Sequence, residues 1–425
     1  MINRIEAFRF RSLRYVAQPL GSFHVLVGPN ASGKSTFLDV AAFAGDLLQC
    51  GLLATVQGDP KLGIPVRAPD PAHLVWLGQG DCFELVIELA IPDDRRSQLP
   101  SPNYTTARYE IAVRTGSELG LASETLWLKP DTPGVSNPNQ LSLFPAAARA
   151  PETIIAPPRK RTPEGWRKVV SRGEDPSNVQ FSSETSGWNN PFRISPAKSA
   201  LANLPEDEVR FPVATWVKQA LGEGVKRIVL ASEAMRRPSP PGRTAAFLPD
   251  GSNLPWVVDL LEQKAPDRLL RWVEHLRQAL PDLERVTTRE RAEDRHRYLV
   301  LAYSNGLEAP SWLLSDGTLR LMALTLLAYV PGLRGTYLIE EPENGIHPRA
   351  VEVVLQSLSS VYDAQILCAT HSPVVVSMAK AAEILCFARD QSGATAIVAG
   401  NNHPRLSRWQ GEVDLGTLLA SGVLG

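Results

Sequence analysis

The sequence predicts an α/β fold with a mixed sheet: an antiparallel meander first, a helical stretch next, and a mostly parallel section last. Three observations carry this. The β-branched run FHVLVG, Phe23–Gly28, stops at a glycine-rich turn, and an apolar helical pattern follows the turn. From Cys82, the strand-like segments CFELVIELAIP, ARYEIAVRT and SETLWLKP succeed one another with turn residues between them, as an antiparallel meander does. After Asp316, helix and strand patterns alternate, the mark of parallel strands joined by crossover helices.

In chain order, alternation in INRIEAFRFRSL gives a first strand and FHVLVG a second, before a helix over Phe37–Gln49. The meander follows. From Asp131 to Ala202 proline and polar residues dominate, and only short strands and loops are expected. Helical periodicity returns in FPVATWVKQAL, PWVVDLLEQKA and APDRLLRWVEHLRQAL, and two strands, LERVTTRER and RYLVLAYS, come next. The last section reads as helix 316–329, strand 336–340, helix 348–362, strand 364–369, helix 373–379 and strand 383–387. There is no internal repeat. With 35 prolines, no segment sustains the heptads of a long coiled coil.

Bulk composition excludes little. The chain has 425 residues, 44 basic against 45 acidic side chains, and a net charge of −1, so any polyanion-binding surface must be local. Cys50, Cys82, Cys368 and Cys386 form no CxxC pair, and the apolar settings of the last two suit buried free thiols in a reducing compartment. The N-terminus lacks a signal-peptide core. The longest apolar stretch is read as Leu321–Val330, about half a membrane span, so a soluble, cytoplasmic protein with no membrane partner is expected.

The chemistry begins at GPNASGKST, which fits G-x-x-x-x-G-K-[ST] in full: Gly28, Pro29, Asn30, Ala31, Ser32, Gly33, Lys34, Ser35 and Thr36. Glycines let successive backbone N–H groups turn inward as an anion nest, and the following helix adds its positive end. Lys34 supplies a point charge for β- and γ-phosphates, and the Ser35 hydroxyl is placed to ligate Mg²⁺. No Asn precedes a Lys, so the Asn-Lys-x-Asp guanine reader is missing and ATP is favoured.

Such a loop needs carboxylates on a second strand end. TYLIEE supplies them. Glu340 is expected to hold Mg²⁺ through its water shell, and Glu341 to polarise the attacking water. A two-metal nuclease site is a further option, but the phosphate loop already accounts for the acids. LSDGTLR puts Ser315 and Gly317 at a helix start, a second anion-binding end expected to serve another subunit's nucleotide. ILCATHSP ends a buried strand at Thr370 and His371, whose imidazole could touch the γ-phosphate or the water.

Together, GPNASGKST, LSDGTLR, LIEEPENGIHP and ATHSP resemble the ABC-type P-loop ATPases of the SMC and RecF superclass. More closely, they resemble stand-alone AAA-family ATPases related to the ATPase part of overcoming-lysogenisation-defect (OLD) proteins. The likeness covers residues 1–43 and 309–425 and, more weakly, DGSNLPWVVDLL. It implies an ABC-type head with an inserted helical lobe. Residues 1–200 would be the N-terminal ATPase part with the meander and a Pro-rich insertion, 201–300 the helical lobe, and 301–425 the C-terminal ATPase part. By the same likeness Gly28–Thr36 is Walker A, Ser315–Gly317 the signature, Glu340–Glu341 Walker B with its catalytic glutamate, Glu343–His347 the D-loop and His371 the switch histidine. Arg11 matches a nucleotide-touching arginine, and such heads work as head-to-tail homodimers or larger homo-oligomers. Two departures stand out. Glu340 occupies a usual aspartate position, and Asp316 puts a carboxylate where LSGG has glycine. Gln79 and Gln180 are the candidates for the Q-loop glutamine.

The chain after His371 has no Glu followed by an Asp-x-Asp pair and too little length for a TOPRIM domain, so no nuclease is expected in cis. The likeness implies the sensor ATPase of a prokaryotic anti-phage defence module, controlling a separate nuclease or toxin encoded nearby. The alternative is a RecF/SMC-like ATPase of DNA repair or maintenance that binds DNA itself. PPRKRTPEGWRKVVSRG, residues 157–173, is the basic, tryptophan-bearing segment that would serve it, with Arg236, Arg237 and Arg243 a weaker second. A transporter subunit fits poorly with EEPENGIHP.

Overall fold

The computed structural model describes residues 1–116, 118–130, 150–156, 162–173, 175–242 and 246–402. In chain order, β1 (Ile2–Phe10), β2 (Leu13–Pro19) and β3 (Phe23–Val27) lead into α1 (Lys34–Gln57). Then come β4 (Cys82–Ala90), the one-turn α2 (Asp93–Arg96), β5 (Thr106–Arg114), β6 (Gly120–Lys129), β7 (Arg167–Arg172), β8 (Asn178–Ser182) and β9 (Asn189–Arg193). The middle holds α3 (Pro212–Gly222), β10 (Val225–Ile228), α4 (Ser232–Arg236), α5 (Leu254–Lys264), α6 (Pro266–Leu276), β11 (Leu283–Glu290), β12 (Arg297–Tyr303) and β13 (Glu308–Pro310). The last stretch alternates α7 (Asp316–Leu326), β14 (Thr336–Glu340), α8 (Pro348–Ser359), β15 (Gln365–Thr370), α9 (Pro373–Met378), β16 (Ile384–Arg389) and β17 (Thr395–Ala399). No long coiled coil occurs among the described residues, as expected.

Two compact units divide the chain. Met1–Gly21, Pro29–Val225 and the described residues from Cys386 onward form the first; Ser22–Gly28 and Lys226–Leu385 form the second. The helical stretch is shared out, with α3 in the first unit and α4–α6 in the second.

In the first unit the meander is larger than its sequence signal. Eight strands pair in the order β2-β1-β4-β5-β6-β7-β8-β9. The N-terminal strand β1 joins β4 antiparallel, with Glu6 opposite Val86, and the short strands expected after residue 131 extend the same sheet. Period-two alternation puts Phe10 and Phe83 into a ring cluster with Phe43 of α1, centroids 5.0–5.9 Å apart.

Helix α1 corrects two expectations. It runs past Gln49 to Gln57 through a left-handed break at Gly51 (φ 79°), so it is longer than its pattern suggests. It also passes, by length and composition, for a helix able to cross a membrane, which the shorter Leu321–Val330 stretch does not. Some 67 % of its apolar window is buried in the protein, and a helix apolar on most sides suits a core.

In the second unit β10, β14, β15 and β3 lie side by side in that order. The pairs β14–β15 and β15–β3 are parallel and in continuous register, with Glu340 opposite Ala369 and Thr370 opposite Val27. A separate three-stranded sheet, β11-β12-β13, adjoins α5 and α6. The Trp272 indole of α6 donates to Thr325 Oγ1 of α7 at 2.9 Å, satisfying a buried N–H and fixing one helix on the other. The expected late elements are all present. The helix expected to end at Tyr329 stops at Leu326, and the strand expected from Ala364 to Ala369 runs from Gln365 to Thr370.

Candidate functional site

Parallel strands in register end together, so β14, β15 and β3 carry Glu340, Thr370 and Val27 to one edge of the second unit. The residues just beyond those tips are Glu341, His371 and Gly28. The carboxyl edge of a parallel sheet is where α/β folds bind ligands, because loops there are free of the strand ladder. Glu340, Glu341 and His371 are all exposed at this edge. Glu341 is held at φ 48°, a left-handed conformation that costs a non-glycine residue on the order of 1–3 kcal/mol. Its N–H still donates to Ala369 O at 2.7 Å, which turns the chain sharply off the strand.

Glu343 links the two tips. Its Oε1 accepts from Thr370 Oγ1 at 2.5 Å, and Thr370 Oγ1 in turn accepts from Ser372 N at 2.9 Å, bracketing His371. The other oxygen, Oε2, is buried without a hydrogen-bond partner. Burial, and then the Glu343 charge, push the Cys368 thiol well above its ordinary range, so it is no nucleophile. All four cysteines are unpaired; Cys368 and Cys386 are buried, as expected, whereas Cys50 and Cys82 are half-buried.

The rest of the phosphate loop belongs to the first unit. Ala31 (φ 60°) and Gly33 (φ 103°) are left-handed, which turns neighbouring N–H groups into a concavity. A Cβ on Gly33 would lie 2.1 Å from Thr395 Oγ1, so sterics as well as φ require glycine. Arg389 Nε donates to Ala31 O at 2.7 Å and pins the loop from outside. Lys34 is buried with its ammonium 3.0 Å from Pro29 O, and Phe37 N bonds Gly33 O at 2.8 Å to start the helix. The Ser32 hydroxyl is buried and has no partner, an orphan that a phosphate oxygen would satisfy. Asn30 and Ser35 are exposed.

These residues fit a nucleoside triphosphate: a nest, a helix N-terminus, a buried ammonium and an orphan donor. Among the described residues no group of three or more His, Cys, Asp or Glu side chains could hold a metal ion by itself.

Arg11, also left-handed at φ 51°, is held on α1: Nη1 lies 3.2 Å from Asp39 Oδ2 and Nη2 3.0 Å from Arg67 O. Arg67, missed by sequence reasoning, is the buried hub, bonding Asp39, Asp46 and Thr55 O at 2.7–2.9 Å. The Arg11 side chain keeps 35 % exposure.

Ser315 caps α7, its Oγ accepting from Thr318 N at 3.1 Å. A Cβ on Gly317 would sit 2.7 Å from Gly345 O, so this glycine allows the 343–347 loop to lie against the helix start. His347 ends that loop by capping α8 through Arg349 N. A groove of about 600 Å³ opens here, with Ser315, Gly317, Thr318, Leu321, Ile346 and His347 in its walls. Asp316 is paired with Arg236, the second residue sequence reasoning undervalued. Its companion Arg243 lies outside the described residues.

Gln180 sits inside β8 opposite Pro191, and Gln79 follows a short turn. Of the basic segment 157–173, residues 157–161 lie outside the described residues. The remainder is engaged in the fold. Trp166 packs edge-on to Trp127 (5.7 Å), Lys168 lies over the Trp127 ring, and the buried Arg172 bonds Glu124 and Lys198 O.

The glycine-rich loop and the helix that follows it define a class, the P-loop nucleotide-binding proteins. A protein family described as "AAA domain, putative AbiEii toxin, Type IV TA system" matches residues 137–377, which contain LSDGTLR, the paired glutamates and His371. The chain belongs to this family. It is similar in fold to the solved SmcHead bound to the C-winged helix domain of ScpA, at 14% identity and TM-score 0.53, covering 93% of this chain and 96% of that one. It is also similar to the Smc head domain with an extended coiled coil bound to the C-terminal domain of ScpA from Pyrococcus furiosus, at 13% identity and TM-score 0.49, covering 93% and 95%. No curated protein matches the chain.

Proposed function

We propose that the chain binds and hydrolyses Mg²⁺-ATP, and that a dimer closed by nucleotide controls a separate effector in a cytoplasmic anti-phage module. The observation that carries this is the shared edge: Gly28, Glu340–Glu341 and Thr370–His371 follow three adjacent, in-register parallel strands. A strained glutamate at such an edge is what a water-orienting group needs, being exposed yet fixed in direction.

In this reading the loop amides and Lys34 clamp the phosphates. Ser35 and Glu340 would hold the magnesium ion, which when bound neutralises developing charge on the phosphate oxygens. Glu341 accepts a proton from the attacking water, and His371, bracketed by Thr370 and Ser372, faces the same reacting group. Arg11, seated on Asp39, touches the nucleotide. The capped end at Ser315 and Gly317 completes the site of a second copy, head to tail, because one γ-phosphate has no need of two helix ends. Support for a separate effector comes from the family description, which names a toxin–antitoxin system. The OLD-like kinship belongs to the same proposal.

The test is kinetic. Lys34→Ala should abolish ATP binding, whereas Glu341→Gln should bind ATP and turn over at least about 100-fold more slowly. Equal ATPase rates in wild type and Glu341→Gln would refute the assignment. Co-purification of the neighbouring gene product, without salt-sensitive duplex binding by the chain alone, separates the defence role from DNA maintenance.

A further inference from the structure

We propose that Arg236 is a positioning residue for the phosphate-accepting end of α7: it neutralises Asp316 and turns it aside, so that an end bearing a carboxylate can still receive an anion. This rests on the reading of Ser315 and Gly317 given above.

Asp316 is the first residue of α7, between the two residues expected to meet phosphate, and its side chain is 59 % exposed. An acid in the first turn suits the helix dipole and stabilises the helix by itself. At an end meant for a triphosphate the same charge repels the ligand. The fold resolves this conflict from a distance. Arg236, the last residue of α4, pairs its Nη2 with Asp316 Oδ1. The guanidinium is fixed in that place: Nε and Nη2 both donate to Leu314 O at 3.2 Å, Nη1 lies 3.4 Å from Glu233, and the Arg236 carbonyl accepts from Ser311 Oγ at 3.0 Å. Arg236 and Asp316 both line the groove at Ser315, so the pair presents a neutral fork there in place of a bare negative charge. A lysine could not hold both the carbonyl and the carboxylate in one plane.

A purely structural tie between α4 and α7 would also use Arg236, and a rescue experiment separates the two roles. Arg236→Ala and Arg236→Gln, the second keeping a donor for Leu314 O, are assayed for ATPase kcat/KM with and without Asp316→Asn, and at low and high salt. Each Arg236 variant should lose on the order of tenfold at low salt, with a smaller loss at high salt. Adding Asp316→Asn should bring activity to within about twofold of Asp316→Asn alone. Thermal unfolding of each variant shows whether the fold is intact. Wild-type turnover with no rescue by Asp316→Asn sinks this inference and leaves the ATPase reading standing; absence of wild-type turnover sinks both.

Discussion

The two main sheets solve the problem of charge in opposite ways. In the first unit charge is buried in the middle of the eight-stranded sheet. Arg108 sits among Glu6, Glu88 and Glu110 at 3.2, 2.8 and 2.7 Å, and Lys129 adds a contact to Glu88 at 2.8 Å. Segment 150–156 lies over this face, with Ile154 O taking a bond from Arg108 and Ala156 N donating to Glu110. In the second unit the parallel strands are apolar along their length, and their acids come only at or beyond the tips. A buried network fixes one geometry and gives little net stability, whereas an apolar strand interior lets polar groups collect where a ligand arrives. The first sheet pairs its charges internally; the second leaves its acids exposed at one edge.

The network's own titration reflects this. Burial raises the Glu6 carboxyl, but Arg108 and Arg4 outweigh it and hold the group below its usual range. For Glu110 burial wins over Arg108, and its pKa is raised. One cation cannot serve both acids equally, so desolvation decides the deeper one.

The sharpest way to break the contrast is Arg108→Met, which leaves Glu110 without a cation and Glu6 and Glu88 with only Arg4 and Lys129, and should cost about 3–5 kcal/mol in denaturant unfolding, with acid pH recovering part of it. Next comes Glu184, another buried acid of the first unit, which accepts from Val213 N and Ala214 N at 2.7 Å. Burial raises its pKa from 4.5 to about 7, against those two bonds. The native state therefore holds a proton that the unfolded chain releases above pH 4.5. Stability is greatest below that value and falls as pH rises toward 7, by up to about 3 kcal/mol, and then levels. Glu184→Gln should flatten that slope, and a pH series of unfolding midpoints measures it. The smallest stability change is expected in the second unit. Thr370→Val removes the hydroxyl between Glu343 and Ser372 and should cost about 1–2 kcal/mol, yet it should lower ATPase kcat more than it lowers stability, because it frees the turn that carries His371. A kcat change no larger than the stability change would mean that the bridge serves the fold alone.

Much of the site was legible because its signals are local. A glycine whose φ must be positive, a β-branched run before it and two acids after an apolar strand each depend on a few neighbouring residues. Boundaries were less legible: α1 passes its left-handed break at Gly51 because its apolar surface stays buried on both sides. The basic segment was legible only as charge. Whether Lys168 and Arg172 face solvent or a ring and a carboxylate depends on strands β6 and β7 pairing, which no local pattern specifies.

By itself, the sequence determined the phosphate loop, the alternating helices and strands from Asp316 to β16, and the acids at the tip of β14, because backbone conformation and periodicity are settled within a few residues. Strand β2, which the sequence merged with β1, and β10, α4 and β17 came only with the structure. Only the tertiary structure decided which charges meet. Arg236 reaches Asp316 across 80 residues, Arg11 reaches Asp39 across 28, and Arg108 reaches Glu6 across 102. A guanidinium's charge names no partner, and the folded backbone selects one by bringing a carboxylate within reach.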